Sequence, residues 1–275
     1  NTQTMMKKAP LNVAQGLQGA AAGVIVVDQD GAPSAMSQVR IRGVGTINGS
    51  ADPLFVVDGV QVGSNANFLN PSDIENIEVL KDASATAIYG SRGANGVVMI
   101  TTKHGSKGAI HVDVNVNFGI QTLASTLNTL DVDTYAKAIR QAHADDGQVV
   151  GMDIFLEKYD GQRKQIDWQK EMTRSALRQN YTVSLSGGTD KFQATFSAGY
   201  LKNDGIVVNT NYQRMNVRGT MKAQVTNYLE LGGDLNYTHD ESNGSNVGFG
   251  NNGNLSSVRD YATLVPTMDY TDSNG

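Results

Sequence analysis

Residues Pro53–Gly105 read PLFVVDGVQVGSNANFLNPSDIENIEVLKDASATAIYGSRGANGVVMITTKHG, and the order of short elements within them decides the fold. Leu54–Val57 is an unbroken apolar run of the kind a buried strand needs. Asp58 and Gly59 follow it, a pair suited to the positive φ of a two-residue hairpin turn. Ser72 and Glu75 have capping-box spacing, the Ser72 hydroxyl accepting from a helical N–H while Glu75 reaches back. Pro71, just before them, suits a helix start. Ile77–Leu80 reads as a strand. Asp82 is placed to cap a second short helix running to Tyr89, where Gly90 stops it. Val97–Thr102, rich in β-branched residues, is the last strand. Strands and short helices interleave, which predicts a small α/β domain around a mixed sheet.

The residues upstream extend that domain. Ala9–Gly19 predicts a helix carrying Leu11, Ala14, Gln15 and Leu17, closed by the glycines that follow. Val24–Val27 is a short apolar run ended by the turn signal Asp30 and Gly31. Gln38–Arg42 alternates, with Val39 and Ile41 on one face and Arg40 and Arg42 on the other. The domain closes near Gly108.

Beyond Gly108 the period changes to two. Ile110, Val112, Val114, Val116 and Phe118 alternate with His111, Asp113, Asn115 and Asn117. Four further runs do the same: Tyr181–Ser186, Phe192–Tyr200, Arg214–Gln224 and Leu229–Thr238. Alternation over roughly ten residues suits a tilted membrane strand, and it equally suits a soluble sandwich with its apolar face inward. The connections favour the membrane reading. A long insertion, Ala124–Gln179, alternates with a short turn at Gly187–Asp190, a medium loop, a second short turn at Thr226 and Asn227, and a long loop from Asp240. Outer-membrane barrels alternate short and long connections in this way. Antiparallel strands would then put the insertion and the last loop at one end of the sheet, and the short turns with Gly108 at the other. Tyr181, Tyr200, Tyr212, Tyr228 and Tyr237 fall near strand ends, as an interfacial aromatic girdle would. Within the insertion, Val132, Tyr135, Ala136, Ile139 and Ala142 share one face of a helix that Asp131 can cap, and a shorter helix begins near Asp167 and Trp168.

Composition narrows the alternatives. The chain has 275 residues, a net charge of −5 and no cysteine, so electrostatic binding of nucleic acid, disulfides and thiolate metal sites are not expected. No apolar stretch approaches the roughly 18 residues of a membrane-spanning helix, but barrel strands would leave none. Asn1 is not a natural start, so the N-terminus reads as processed or trimmed.

Motifs for covalent chemistry are missing. His104, His111, His143 and His239 have no helical i, i+4 pairing. No GxSxG elbow or Walker A spacing occurs. The glycines at Gly43, Gly45, Gly90, Gly93 and Gly96 read as turn and close-packing positions. The pairs Asp131/Asp133 and Asp145/Asp146 fit helix ends and solvated positions. Arg214, Arg218 and Lys222 share one strand face, which is a solvated face in a soluble protein and a lumen face, able to touch a plug, in a barrel.

The ordered set VVDGV, NPSDIENIEVLKDASATAIYG and GANGVVMITTKHG closely resembles the plug domain of SusC/RagA-type TonB-dependent outer-membrane transporters. NVAQGLQGAAAG at Asn12–Gly23 and RIRGVG at Arg40–Gly45 belong to the same resemblance. It implies an α/β plug over residues 1–108, then antiparallel strands of an incomplete transmembrane β-barrel over 109–275, with a long helical insertion at about 124–179. It implies active uptake of a large nutrient, glycan or peptide, across the outer membrane, with no enzyme activity and no cofactor. The implied partners are a SusD-like surface lipoprotein and the TonB complex, acting through a TonB box not expected within these residues. A plugged barrel of about 22 strands would need more chain than the runs named above, so a longer protein is expected. Arg42 and Arg92 match arginine-glycine motifs where family plugs meet the wall. Glu230 and Asp234, on polar strand faces, are then their candidate partners; the alternative is ordinary surface arginines. Two other readings stand beside this one: a soluble α/β enzyme, and a soluble β-rich carbohydrate-binding or adhesion module.

Overall fold

The computed structural model describes residues 10–19, 21–28, 32–35, 37–41, 43, 51–81, 88–146 and 166–244. The chain divides into two compact units. The first comprises Asn1–Gly119, Leu177–Asp204 and Asn211–Asn243; the second comprises Ile120–Ala176, Gly205–Thr210 and Gly244–Gly275.

The first unit begins with helix α1, Val13–Leu17, shorter than the Ala9–Gly19 expected. Asn12 sets its start, its side-chain oxygen accepting from the Gln15 N–H at 2.8 Å. Strands β1 (Val24–Asp28) and β2 (Ser37–Ile41) form an antiparallel pair. A four-stranded sheet follows, built from β3 (Leu54–Val57), β4 (Val60–Gly63), β5 (Ile74–Leu80) and β6 (Val97–Thr102) in the order β4-β3-β6-β5. Only β3 and β6 run parallel, so the sheet is mixed. Val13, Leu17, Val39, Ile41, Phe55, Leu69, Ile74, Val98 and Ile100 form its core. Asp58, at φ +48°, and Gly59 make the expected turn between β3 and β4.

The helix expected at Ser72–Glu75 is a correction. Asn70, not Ser72, is the cap, accepting from the Ser72 N–H at 3.0 Å, and only one 3-10 turn, Pro71–Asp73, forms. From Ile74 the chain enters β5, because Ile74, Ile77 and Val79 pair with the β-branched face of β6. Tertiary pairing overrides the local cap signal. The cap proposed at Asp82 lies outside the described residues, although Ile88 and Tyr89 are helical.

The same unit holds a five-stranded antiparallel sheet in the order β11-β10-β9-β8-β7. Its strands are β7 (Gly108–Gln121), β8 (Ala176–Gly188), β9 (Phe192–Asp204), β10 (Asn211–Thr226) and β11 (Leu229–Asn243). The order brings Gly108 and the two short turns to one end, and Gln121, Asp204 and Asn243 to the other, as expected from the connections. At the connector between the sheets, a Cβ on Gly105 would lie 2.5 Å from the Ala194 backbone nitrogen, so the chain runs flush against β9.

Burial in this sheet is inverted relative to a soluble protein. Thr182, Ser197, Asn203, Arg214, Asn216, Arg218 and Thr220 are buried, while Ile110 is 78% and Leu235 75% exposed. The register aligns Tyr181 with Tyr200, Met215 with Tyr200, and Val217 with Ala198 and Tyr237, so the apolar face is continuous across strands. An apolar face of this extent exceeds what a soluble monomer leaves in water. An outward apolar band with a polar interior is the pattern of a transmembrane barrel wall. The soluble sandwich and adhesion-module readings fail on it.

Phe118 meets Tyr181 edge-on at 5.7 Å, and Tyr181 stacks on Tyr200 at 6.5 Å, giving aromatic contacts on the apolar face. Tyr212 departs from the expected girdle: parity puts it on the polar face with Arg214.

The second unit contains helices α2 (Val132–Asp146) and α3 (Trp168–Glu171). Asp131 caps α2 through the Thr134 N–H at 2.9 Å, as its position predicts. Asp167 caps α3. The Gln169 amide pairs with both backbone groups of Leu127 at 2.8 Å, acting as a strand would. Arg174 donates to the carbonyls of Gly205 and Thr210, and Thr173 bridges Val207.

Candidate plug–barrel interface

The strand period of two puts Arg214, Asn216, Arg218 and Thr220 of β10 on one face, and the α/β domain packs over that face. Three rows of side chains make the contact. In the first, Thr182, Gly199 and Asn216 lie side by side across β8, β9 and β10. The Asn70 amide occupies the space above Gly199. Its Nδ2 donates to Asn216 Oδ1 at 3.2 Å and to Thr182 Oγ1 at 3.4 Å. The oxygen of the same amide caps the Pro71–Asp73 turn, so one side chain orders the plug locally and fixes it to the wall.

In the second row, Arg218 is 5% exposed and still charged, so it must be fully partnered. Its Nη2 donates to Asp58 Oδ2 at 3.3 Å, Thr102 Oγ1 at 2.5 Å and Asp234 Oδ1 at 2.6 Å. Asp58 belongs to the plug; Asp234 stands on the neighbouring wall strand. Asp58 also accepts from the Thr102 N–H at 2.9 Å and the Thr102 hydroxyl at 2.5 Å, with His104 Nε2 at 3.7 Å.

In the third row, Arg214 donates to plug carbonyls, Asn67 O at 3.1 Å and Leu11 O at 3.0 Å. Outside that row, Thr238, opposite Asn216, donates to Phe68 O at 2.8 Å, and Asn203, opposite Tyr212, to Pro33 O at 3.1 Å. These bonds satisfy loop carbonyls that burial would otherwise orphan. Ser197 donates to Asp73. Burial pushes the Asp73 carboxyl above the ordinary aspartate range, against the Ser197 bond and the charges of Arg218, Lys103 and Arg214.

The four residues singled out from sequence sit as follows. Arg42 lies outside the described residues. Arg92 is exposed and donates to Gln61 Oε1 of β4 at 3.3 Å. Asp234 meets Arg218, an arginine of its own wall, and Glu230 meets Lys222 at 3.0 Å. Sequence reasoning missed Asn70, Asp58, Thr102 and Thr238. In sequence Asp58 reads as a turn residue alone, and nothing in a single threonine or asparagine marks it as an interface group.

A mixed-sheet plug seated on the polar face of outward-apolar strands defines a TonB-dependent receptor. Residues 1–97 match the family model described as the TonB-dependent receptor plug domain. TonB-dependent receptor P3 of Formosa agariphila is 40% identical over 219 residues, covering 79% of this chain and 20% of that protein. TonB-dependent receptor SusC of Bacteroides thetaiotaomicron is 36% identical over 219 residues, 76% of this chain and 21% of that protein. The RagAB peptide transporter structure superposes with a TM-score of 0.74 at 28% identity, covering 87% of this chain and 30% of that one. The ferric enterobactin receptor PfeA of Pseudomonas aeruginosa, at 15% identity and a TM-score of 0.55, shares the fold. The chain belongs to the SusC/RagA-type TonB-dependent transporters, proteins of the outer membrane. It spans about a fifth of the length of these curated relatives.

Proposed function

We propose that this chain contributes the plug and the first wall strands of an importer that takes up a large nutrient, glycan or peptide, across the outer membrane. The observation that carries the reading is the buried polar seam centred on Arg218, where a separate sheet closes the lumen face of the wall. In this reading residues 1–108 are the plug, and 109–275 begin the barrel with a helical insertion at about 124–179. The strand end at Gln121, Asp204 and Asn243 faces outward, and the end at Gly108 faces the periplasm.

The work is mechanical. Binding outside and force from the TonB complex inside rearrange the plug, while a SusD-like lipoprotein captures substrate at the surface. No covalent step is involved. Arg42 on the plug adds to the contacts that hold it, while Arg92, Glu230 and Asp234 act through partners on their own sheets.

The test uses the full-length receptor in its own host. Cells lacking it should fail to grow on one class of polymer, a glycan or an oligopeptide mixture, and removing TonB should abolish growth in the same way. Unchanged growth on every polymer the parent strain uses would overturn the importer reading.

A further inference from the structure

The Asp58–Arg218 contact has an arrangement that a simple latch would not need. Each of its two charges has a second partner on its own side of the interface. Arg218 is held at 2.6 Å by Asp234, one strand away on the same wall, closer than the 3.3 Å to Asp58 on the plug. Asp58 is held by the Thr102 N–H and hydroxyl, with His104 beside it, all within the plug. If the seam opened, neither charge would be left bare.

This differs from the neighbouring arginine. Arg214 donates to plug carbonyls at Asn67 and Leu11, and its Nε is buried without a partner among the described residues. Opening the seam takes those acceptors away. On separation Arg214 loses two carbonyl acceptors, with Asp240 opposite it on β11, whereas Arg218 keeps a carboxylate of its own wall in direct contact at 2.6 Å.

We propose that Asp234 is a resident counter-ion that takes over Arg218 when the plug moves, making plug release easier. Two physical effects act in one direction. With the plug docked, Asp234 and Asp58 are like charges sharing one cation, so Asp234 weakens the hold on Asp58. With the plug displaced, Asp234 keeps Arg218 paired and removes the penalty of a lone charge in a protein-lined cavity. Asp234 is thus a positioning residue for gating, and the inference rests on the importer reading given above.

The consequence is a difference in sign that a merely structural carboxylate would not produce. In the full-length receptor, hydrogen exchange is followed at the amide of Asp58, which the plug bonds to Ile100 O. Asp58→Asn should speed exchange about tenfold, because a charged interface partner is lost. Asp234→Asn should slow it several-fold, because Arg218 then relies on Asp58. Asp234→Glu should restore the parental rate. Asp234→Ser, which removes the charge with a smaller side chain, gives the same reading if asparagine disturbs assembly. Exchange in Asp234→Asn and Asp234→Ser that is unchanged or faster overturns the proposal. A growth defect is scored separately. Slow exchange with normal growth would leave the counter-ion in place and count against plug movement as the rate-limiting step of uptake.

Discussion

Asn70 of the plug and Gly199 of the wall occupy adjoining space: a Cβ on Gly199 would lie 2.5 Å from Asn70 Nδ2. The glycine is the floor of a slot whose sides are Thr182 and Asn216. Gly199→Ala should therefore push the Asn70 amide off both acceptors. Losing two buried hydrogen bonds should weaken plug seating by about 1–3 kcal/mol. Hydrogen exchange of the segment around Pro71 should rise in step. Asn70→Ala should act similarly, and the double substitution should add little, because both remove one interaction. Additive effects would show that the slot is not a single contact.

Arg218→Ala should loosen the plug by about 2 kcal/mol, toward the low end for a buried charge-pair truncation, since Asp58 and Asp234 retain other partners or water. Arg218→Lys keeps the charge without the planar fork and should fall between parent and alanine. The check is conductance of the purified receptor in planar bilayers under urea, with channel openings appearing at lower urea in the order Ala, Lys, parent.

Asp73 gives a pH dependence whose sign is set by burial. Burial raises its carboxyl above the ordinary aspartate range when the plug is seated, so at a pH between the released and seated values seating takes up a proton. Seating is favoured by this group below the released value, and that contribution is lost as pH rises through the seated value. Asp73→Asn should remove the dependence. At neutral pH the variant should exchange more slowly at Lys103, whose N–H bonds Asp73 O; at about pH 3, below the ordinary aspartate range, parent and variant should converge.

Val114 lies in the middle of β7 on the outward face, and Asn115 on the opposite face. Val114→Arg should cost about 2–4 kcal/mol at the bilayer midplane and impair assembly, whereas Asn115→Arg should be tolerated. Heat-modifiable gel mobility of the full-length receptor distinguishes them. Equal assembly would contradict the outward face.

Replacing Arg42 and Arg92 together by alanine should impair uptake or admit small solutes while leaving barrel assembly intact. An unchanged permeability barrier with normal uptake would reduce both to surface residues.

The wall strands were legible because period two runs through Phe192–Tyr200 in β9 and Arg214–Gln224 in β10, although in β8 it covers only Tyr181–Ser186. The plug strands were legible from apolar runs and turn pairs. The helix at Ser72 was misread because a cap signal is local, while the pairing of Ile74–Leu80 with β6 is not. The interface was half legible. Arg214 and Arg218 could be placed on one face, yet that pattern serves a solvated face equally well. What distinguishes the two is the group lying over it, and Asp58 is 160 positions from Arg218 in the chain. Asp234 was placed on the correct face, but its pairing with Arg218 depends on a diagonal across β10 and β11, since register sets Asp234 opposite Thr220.

The flush passage of Gly105 along Ala194 gives the plug a fixed pivot. Only the few residues between Thr102 and Gly108 join the two sheets, and they run against the wall backbone with no slack at Gly105. A body tethered this closely at one corner cannot travel out along the lumen as a whole. Its available motion is a swing, smallest beside β9 at the tether and growing with distance from it. In the proposed importer a passage opened this way would be a wedge whose width is set by angle, so a cargo's shape would decide its transit as much as its size.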